Sequence, residues 1–349
     1  MSVTQSGFLT GQAVLCREYG PPESLEVGTL DFAPLDPRHV RVRVEAAGIN
    51  FPDTLITLGK YQLRPEFPFA PGFEVAGEII AVGSEAGDWT VGARVVGLTA
   101  SGYGGFAEFA DLAGSQAIPV PGEVDAIEAA AIYTAYGTAY HALVQRGGVA
   151  PGKTVVVLGA TGGVGLAAVD IASAMGATVI AVGNSKEKLQ LALAAGAQSA
   201  VVYAEGELGR HIKAVTGGRG ADICLDVTGG QAFADMSRLM AWGGRLLVIG
   251  FTSGEIPSLP VNLLLLKGYA AVGVYWGRFT EIDPAGNAAN FAALWQLLAQ
   301  LKIQPHIHAT YPMDRAAQAL NDLLSRKTAG KLVLTPFPEH PTGADLARA

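Results

Sequence analysis

Residues 154–175 constrain the fold of this chain more than any other stretch. The stretch begins with five consecutive β-branched or apolar residues, turns through Gly-Ala-Thr-Gly-Gly-Val-Gly, and continues with mostly apolar residues to Met175. A strand that passes through glycines directly into a helix is the local structure on which dinucleotide-binding folds are built. The stretch therefore predicts one strand and one helix of a doubly wound α/β sheet.

The glycines of this loop have separate expected roles. Side chains are unwelcome at Gly162 and Gly163, because the backbone there has to approach a pyrophosphate, and Gly165 lets the helix pack against the strand. The helix N-terminus then offers N–H groups and a partial positive charge to the phosphates. The strict Gly-x-Gly-x-x-Gly pattern has Ala160 at its first glycine. A tight turn in some other doubly wound protein therefore stays open as an alternative.

Apolar runs alternate with helical segments through the middle of the chain. With 154–158, the runs that read as strands are 178–182, 200–203, 223–227, 246–249 and 270–275. Alternation of strands and helices predicts a parallel sheet, and six strands match a doubly wound nucleotide-binding sheet. We expect a helix at 128–144 before this sheet. After it, we expect helices near 290–301 and 314–324 and a last strand at 331–335.

The first third of the chain has the pattern of β structure. Apolar residues at 40, 42 and 44 alternate with charged ones, and short apolar runs at 75–82 and 93–98 lie between glycine-bearing turns. Alternation with a period of two is typical of half-buried strands. No long helical pattern occurs before residue 125, so we predict a small, irregular β-barrel-like domain.

Composition and charge narrow the class of protein. A hydrophobic fraction of 50% with only 16% charged residues excludes a disordered chain. The net charge of −7 and the absence of a basic run argue against a nucleic-acid partner. The N-terminus lacks the regions of a signal peptide and glycines interrupt the apolar stretch 154–183, so we predict a cytoplasmic protein that does not enter a membrane. Two cysteines, Cys16 and Cys224, exclude a disulfide framework and a four-cysteine zinc site.

The end of the second strand of the sheet distinguishes between the two nicotinamide dinucleotides. An NAD-binding protein usually has an acidic residue there, about 20 residues beyond the glycine loop, which binds the ribose 2′-hydroxyl. This chain has Gly183, followed by Asn-Ser-Lys-Glu-Lys. Hydroxyl and ammonium groups suit a 2′-phosphate, so we expect NADPH. In the alternative, Asn184 and Glu187 form a helix cap and the lysines are solvated.

Several short motifs extend over nearly the whole chain, at 47–54 (AGINFPDT), 59–61 (GKY), 71–77 (PGFEVAG), 136–140 (YGTAY), 162–165 (GGVG), 243–245 (GGR) and 330–334 (GKLVL). Together they resemble the medium-chain dehydrogenase/reductase superfamily, most of all its zinc-free quinone oxidoreductase branch. The resemblance implies an α/β protein with two domains. A GroES-like β-barrel catalytic domain, 1–133 completed by 278–349, would accompany an NADPH-binding Rossmann domain, 134–277, with a doubly wound six-stranded parallel sheet.

The resemblance also bears on zinc. The zinc alcohol dehydrogenases of the superfamily carry a cysteine where this chain has Asn50, and a histidine where it has Phe73, just before Glu74. Phenylalanine cannot ligate a metal and asparagine is a poor zinc ligand, so we expect no metal site. Glu74 is then expected to be a structural hydrogen-bonding residue.

Candidate site residues follow from the resemblance, position by position. Asn50 and Tyr61 would face the substrate beside the nicotinamide. The residues that would bind the cofactor are Thr138 at the nicotinamide end, Gly162, Gly163 and Val164 at the pyrophosphate, Ser185, Lys188 and Tyr203 at the adenosine phosphate, and Gly250, Phe251, Val274 and Trp276 around the nicotinamide amide. For Tyr203, Phe251 and Trp276, ordinary core packing remains the alternative.

The expected reaction needs no metal. Hydride transfer to a quinone gives a hydroquinone anion, a phenolate-like group with a pKa on the order of 10. An enone or enoyl thioester gives an enolate, which Asn50 or a backbone N–H would stabilise, and Tyr61 or solvent would protonate the product. We therefore expect zinc-independent, NADPH-dependent reduction of a quinone, with a small apolar electrophile as partner. The alternatives are a reductase of activated C=C bonds, of the enone, enoyl-CoA or haloacrylate type, and a non-enzymatic NADPH-binding redox sensor.

The last strand of the sheet is expected at its edge. Residues 269–276 are mostly apolar and carry none of the charges or prolines that usually protect an edge. Such an edge pairs readily with a two-fold mate, and the resemblance implies the same. We therefore expect a homodimer.

Overall fold

The computed structural model describes residues 9–338, and these divide between two compact units. Unit 1 takes the chain up to Ala130, Ala309–Lys327 and the chain from Leu332, and unit 2 takes Ala131–His308 and Thr328–Lys331. Residues 278–308, which the sequence assigns to the catalytic domain, are thus grouped with unit 2. The functional division at 133/134 and 277/278 stays a prediction. Most of the N-terminal stretch in which no signal peptide is expected lies outside the described residues.

Strands and helices connected by turns and loops make up both units. In chain order, the strands are β1 (Leu9–Leu15), β2 (Glu26–Phe32), β3 (His39–Ile49), β4 (Glu74–Val82), β5 (Arg94–Leu98), β6 (Phe109–Ala113), β7 (Ile118–Pro119), β8 (Thr154–Leu158), β9 (Thr178–Gly183), β10 (Ser199–Val202), β11 (Ala221–Asp226), β12 (Met240–Val248), β13 (Ala270–Gly273), β14 (Ile307–Pro312) and β15 (Lys331–Thr335). The helices are α1 (Phe51–Thr57), α2 (Ala126–Tyr140), α3 (Gly163–Ala174), α4 (Lys186–Ala194), α5 (Leu208–Thr216), α6 (Gly230–Met236), α7 (Asn262–Lys267), α8 (Trp276–Ile282), α9 (Pro284–Ala299) and α10 (Ala316–Leu324). A π-helical segment, His141–Gly147, follows α2.

Unit 1 is built on a seven-stranded sheet, as its alternating pattern predicts. The strands run in the order β14-β15-β3-β4-β5-β7, with β6 paired to β3. Val40, Val42 and Val44 of β3 are buried in its core. Arg41, on the opposite face, is buried as well, and its guanidinium donates to both oxygens of Asp111, at 2.7 and 2.9 Å. The pattern therefore identifies the strand, but on its polar face Arg41 is buried while Arg43 is exposed.

Unit 2 contains the predicted doubly wound sheet. Its six strands lie in the order β10-β9-β8-β11-β12-β13, and every neighbouring pair is parallel. The strand order reverses between β8 and β11, and ligands bind such sheets at the carboxyl ends of the strands beside this reversal. The glycine loop follows the carboxyl end of β8. The fold therefore puts the loop where a dinucleotide-binding site is expected.

No helix within residues 9–338 combines the length and the apolar character that crossing a bilayer would require.

Candidate functional site

The turn after β8 is tight. Gly159 makes it, one residue before Ala160, which occupies the first glycine position of the Gly-x-Gly-x-x-Gly pattern. Gly159 has a positive φ of 76°, and the N–H groups of Gly159 and Ala160 both donate to the carbonyl of Val182 at 3.0 Å. A Cβ at Gly165 would lie 2.0 Å from the carbonyl oxygen of Gly159. Glycine at 165 is therefore required for α3 to pack this closely on the strand, as the sequence predicts.

Gly162 differs, because the folded protein has room for a side chain there. Gly162 caps α3 in extended backbone, with φ −83° and ψ 174°. The nearest atom to a Cβ at Gly162 would be the Gly159 oxygen at 3.7 Å, and at Gly163 it would be the flexible Lys331 side chain at 3.0 Å. The helical ladder starts only with Leu166, whose N–H donates to Gly162. The N–H groups of the first turn and the open space beside Gly162 together fit a phosphate group.

The loop after β9 has a cap one residue later than the alternative interpretation expects. Ser185, not Asn184, caps α4, and its hydroxyl accepts from the Lys188 N–H at 3.3 Å. Both residue types cap helices well, so the pattern does not separate them. Lys188 is half-buried, burial lowers the pKa of its ammonium, and Nζ donates to the carbonyl of Thr328 at 3.1 Å.

The residue after β10, Tyr203, has a partner that the sequence does not reveal. Its hydroxyl donates to Asp235 Oδ2 at 2.8 Å. Burial, together with the Asp235 carboxylate, raises the pKa of Tyr203 to about 12. Tyr203 therefore stays a neutral hydrogen-bonding group at any physiological pH.

The ends of β11 and β12 supply two further turns at the same edge of the sheet. Asp226 is fully buried, and its carboxylate accepts from the N–H and hydroxyl of Thr228 and from the N–H of Gly229, at 2.8 to 3.1 Å. Burial raises the pKa of Asp226, against the effect of these bonds. Gly250 follows β12 and donates to the Asp226 carbonyl at 3.4 Å. Phe251 comes next and is half-buried.

Val274 and Trp276, both expected to contact the nicotinamide, lie in different structural environments. The N–H of Val274 donates to the carbonyl of Val248 at 2.9 Å, so Val274 extends the parallel pairing of β12 and β13. The Trp276 indole is buried, packs edge-on to Tyr133 with centroids 5.2 Å apart, and donates to Asn287 Oδ1 at 3.1 Å. The indole therefore lies in the core of unit 2, as the core-packing alternative states.

Most of the expected cofactor residues thus follow the carboxyl ends of parallel strands in unit 2. Those that do are Gly162, Gly163 and Val164 after β8, Ser185 and Lys188 after β9, Tyr203 after β10, Gly250 and Phe251 after β12, and Val274 after β13. Thr138 lies instead on α2, where it is buried. Because the strands are parallel, the residues that follow them lie along the same side of the sheet, at the carboxyl ends of its strands.

In unit 1, Asn50 is hydrogen-bonded to its neighbours through both its backbone and its side chain. Its backbone N–H donates to Asp53 Oδ2 at 2.6 Å at the start of α1, and its Nδ2 donates to Glu74 Oε1 at 2.7 Å. Glu74 is fully buried, and a Cβ at Gly48 would lie 2.1 Å from Oε1, so glycine is required there. The side-chain amide of Asn50, which with a backbone N–H is one of two groups expected to stabilise an enolate, thus donates to Glu74 in this structure.

The side chains at and near the positions of the zinc ligands, Asn50, Phe73 and Glu74 with Tyr61, are not a set that binds zinc. Tyr61 and Phe73 pack edge-on, with centroids 5.3 Å apart, next to a cluster formed by Cys16, Ile56 and Phe69. Across residues 9–338, no group of three or more His, Cys, Asp or Glu side chains is arranged to hold a metal ion. An amide, a hydrocarbon ring and one carboxylate do not fit zinc.

A buried carboxylate on α3 gives unit 2 a dependence on pH. Burial raises the pKa of Asp170 to about 6 from 3.8, although Tyr136 and the N–H of Gln304 both donate to Oδ2 at 2.7 Å. Because the folded pKa is the higher one, the folded protein holds this proton more tightly. Its stabilising effect is complete below about pH 4 and is lost as the pH rises through about 6.

Asp170→Asn removes the carboxyl group that titrates. The free energy of unfolding of the wild type should therefore fall with rising pH relative to that of the variant. The free energy of unfolding of the variant, relative to the wild type, should rise by about 1 to 3 kcal/mol between pH 4 and pH 7.5. Urea unfolding at both pH values measures it. A difference that is the same at both pH values would show that folding does not shift the pKa of Asp170.

Comparisons with known proteins agree with this architecture. An alcohol dehydrogenase GroES-like domain matches residues 36–122, and a zinc-binding dehydrogenase domain matches 163–299. Quinone oxidoreductase-like protein 2 from Bos taurus is 38% identical over 325 residues, which cover 93% of this chain and 92% of the relative.

Two solved structures extend the comparison. A probable oxidoreductase from Mycobacterium abscessus is 35% identical with a TM-score of 0.84, over 94% of this chain and 99% of that one. The Escherichia coli quinone oxidoreductase complexed with NADPH is 28% identical with a TM-score of 0.85, over 93% and 100%. The GroES-like and Rossmann folds expected from the motifs are confirmed. The chain is therefore an oxidoreductase of the medium-chain dehydrogenase/reductase superfamily and belongs to its quinone oxidoreductase branch.

Proposed function

We propose that this protein reduces quinones with hydride from NADPH and without a catalytic zinc. The observation that carries the proposal is the group formed by Asn50, Phe73 and Glu74. Where the zinc enzymes of the superfamily carry ligands, this chain has an amide that donates to a buried carboxylate and a ring that packs on Tyr61. The reaction therefore has to be one that needs no Lewis acid.

A quinone meets this requirement. When bound, NADPH supplies a hydride, and the quinone that accepts it becomes an anion with its charge on a phenolate-like oxygen, whose pKa is on the order of 10. In the proposal, Asn50 and Tyr61 face the substrate. Glu74 fixes the orientation of the Asn50 amide before substrate arrives, and the Tyr61 hydroxyl or solvent protonates the anion.

The cofactor residues carried over from the family fit the geometry of unit 2. The N–H groups of 162–164 would hold the pyrophosphate, while Ser185, Lys188 and Tyr203 would line the site of the 2′-phosphate. Thr138, Gly250, Phe251 and Val274 would frame the nicotinamide. Trp276 remains in the proposal through its backbone only, since its indole packs in the core.

The test is NADPH oxidation against quinones, enones and enoyl thioesters, together with elemental analysis. We expect chelator-insensitive turnover of quinones, far less than one zinc per chain, and negligible oxidation of ethanol. Stoichiometric zinc or chelator-sensitive alcohol turnover would overturn the proposal. Turnover of enones or enoyl thioesters alone would favour the C=C reductase. Tight NADPH binding with no turnover would favour the redox sensor.

The wild type is expected to bind NADPH at least about tenfold more tightly than NADH, or about 1.4 kcal/mol. Gly183→Asp should erode this preference, because its carboxylate repels the 2′-phosphate. A Cβ at Gly183 would lie 3.2 Å from Leu189 Cδ2 and 3.4 Å from Thr161 Cγ2, side-chain ends that can shift. Gly183→Ala is therefore the matched control that adds the Cβ without the charge. Equal calorimetric affinities of the wild type for both nucleotides would contradict the assignment.

We also propose that the protein is a homodimer, while a cytoplasmic location stays a prediction. β13 is the outermost strand of its sheet and is largely exposed. Large exposed apolar side chains lie on the two elements that precede it, Trp242 at 80% and Leu265 at 81% exposed. Light scattering at micromolar concentration should give twice the chain mass, and a monomer there would contradict the proposal.

A further inference from the structure

The hydroxyl of Tyr203 is bound by a carboxylate on a neighbouring helix. It donates to Asp235 Oδ2 at 2.8 Å, and the other oxygen of this carboxylate, Oδ1, accepts from Gln231 Nε2 at 2.9 Å. Asp235 and Gln231 both lie on α6. The two donors are neutral groups, and the ion pairs formed within residues 9–338 do not include Asp235. The negative charge of Asp235 is therefore not neutralised by a paired cation.

The Tyr203–Asp235 pair lies beside the site proposed for the 2′-phosphate. β10 and β9 are parallel neighbours, and Val202 is in register with Gly183. Tyr203 therefore follows β10 at the level at which the loop 184–188 begins after β9. A phosphate that contacted the Tyr203 hydroxyl would be separated from the Asp235 carboxylate by that hydroxyl alone.

A tyrosine hydroxyl has one proton to donate and lone pairs with which to accept. In this structure the proton is donated to Asp235, and it is retained, because burial and the carboxylate raise the pKa of Tyr203 to about 12. The oxygens of a phosphate dianion only accept, so Tyr203 can donate to them only by giving up Asp235. A ribose 2′-hydroxyl is different, since it can donate to the lone pairs of Tyr203. The pair therefore suits the 2′-hydroxyl of NADH better than the 2′-phosphate of NADPH.

We propose that Asp235 limits the preference of this protein for NADPH over NADH by holding the proton of Tyr203. Repulsion between the Asp235 carboxylate and the phosphate adds to this effect. The inference rests on the proposed cofactor site, in which Tyr203 lies beside the 2′-phosphate. Ser185 and Lys188 would attract the phosphate there. Asp235 acts in the opposite direction, as a positioning residue for Tyr203.

The test is Asp235→Asn, which keeps the size of a half-buried side chain but removes its charge and leaves a weaker acceptor for the Tyr203 proton. Calorimetric titrations use NADPH, NADH and 2′-AMP, which carries the 2′-phosphate without the nicotinamide half. The variant should bind NADPH and 2′-AMP about three- to tenfold more tightly than the wild type, and NADH within about twofold of it. The matched control is Glu281→Gln, which removes the same charge from an exposed position of unit 2 and should change none of the three affinities.

A second variant separates the hydroxyl from the charge. Tyr203→Phe combined with Asp235→Asn should bind NADPH at least about threefold more weakly than Asp235→Asn alone, because phenylalanine has no proton to donate to the phosphate. Equal affinities of these two variants would overturn the inference, since Asp235 would then not act through Tyr203.

An affinity of Asp235→Asn for NADPH that is unchanged or lower would overturn the inference alone, and so would an equal gain for NADH. Should the asparagine variant not fold, Asp235→Ser, which also releases the Tyr203 hydroxyl, takes its place. Failure of the wild type to bind either dinucleotide would overturn the proposed function and the inference with it.

Discussion

Gly165→Ala is expected to destabilise the protein by about 3 kcal/mol or more. The new methyl would lie 2.0 Å from the Gly159 oxygen, 2.8 Å from its carbonyl carbon and 2.9 Å from the Ala160 Cα. All three are backbone atoms of a turn whose N–H groups are bonded to Val182, so they have no rotamer by which to move away. Helix α3 would have to separate from β8. Urea unfolding of the variant measures the loss.

A Gly165→Ala variant as stable as the wild type would show that α3 packs less closely on the turn than the structure has it. Its control is alanine at another glycine of the same loop, Gly162, where the fold has room.

Gly162→Ala is expected to keep the fold and to lose NADPH. The backbone of Gly162 is in a region open to any residue, and the nearest atom to the methyl is 3.7 Å away. Alanine is a poorer cap than glycine, so stability should fall by less than about 1 kcal/mol. The methyl would occupy the space in which the pyrophosphate approaches the backbone. We expect affinity to fall at least about 100-fold, or about 2.7 kcal/mol, by calorimetry.

Thermal unfolding without nucleotide separates the two glycine variants, since only Gly165→Ala should show a large decrease in midpoint. If Gly162→Ala bound NADPH as the wild type does, the pyrophosphate would have to lie elsewhere, and the proposed roles of Gly163 and Val164 would be wrong as well.

The sequence predicts the parallel sheet well because its strands are apolar runs that end near a glycine or polar turn, and the central ones, β8, β9 and β11, are almost wholly buried. The predicted strand ends differ from the observed ones where the apolar run and the hydrogen-bonded pairing of the strand do not coincide. The last run extends to Tyr275, but β13 ends at Gly273, and the fifth strand starts at Met240, ahead of its apolar core. Helix α1 is missed because its seven residues are too few to show a period, although Asn50 and Asp53 mark its cap.

Partners distant in the chain are not predictable from local pattern. Nothing near Tyr203 indicates Asp235, and nothing near Lys188 indicates a carbonyl 140 residues later. Glu74 is a partial exception. Because Asn50 and Phe73 stand where the zinc enzymes carry ligands, the sequence predicts a structural role for Glu74, and in the structure Glu74 accepts a hydrogen bond from Asn50. Asp226 is missed, although an aspartate followed by Val-Thr-Gly at a strand end is a turn signal.

The segment Thr328–Lys331, which belongs to unit 2, has a consequence for how the chain folds during synthesis. The glycine loop and Lys188 are made well before their partners, because the bond to Gly330 and the Lys188 bond to Thr328 need residues that are synthesised much later, 140 residues later for Lys188. In unit 1, β3 likewise gains its neighbour β15 only then. Each unit thus depends on contacts of long sequence separation, which form slowly. A nascent chain that stops before residue 328 would expose the edge of β3 and leave the glycine loop without its cover, so such fragments should be substrates for chaperones and proteases.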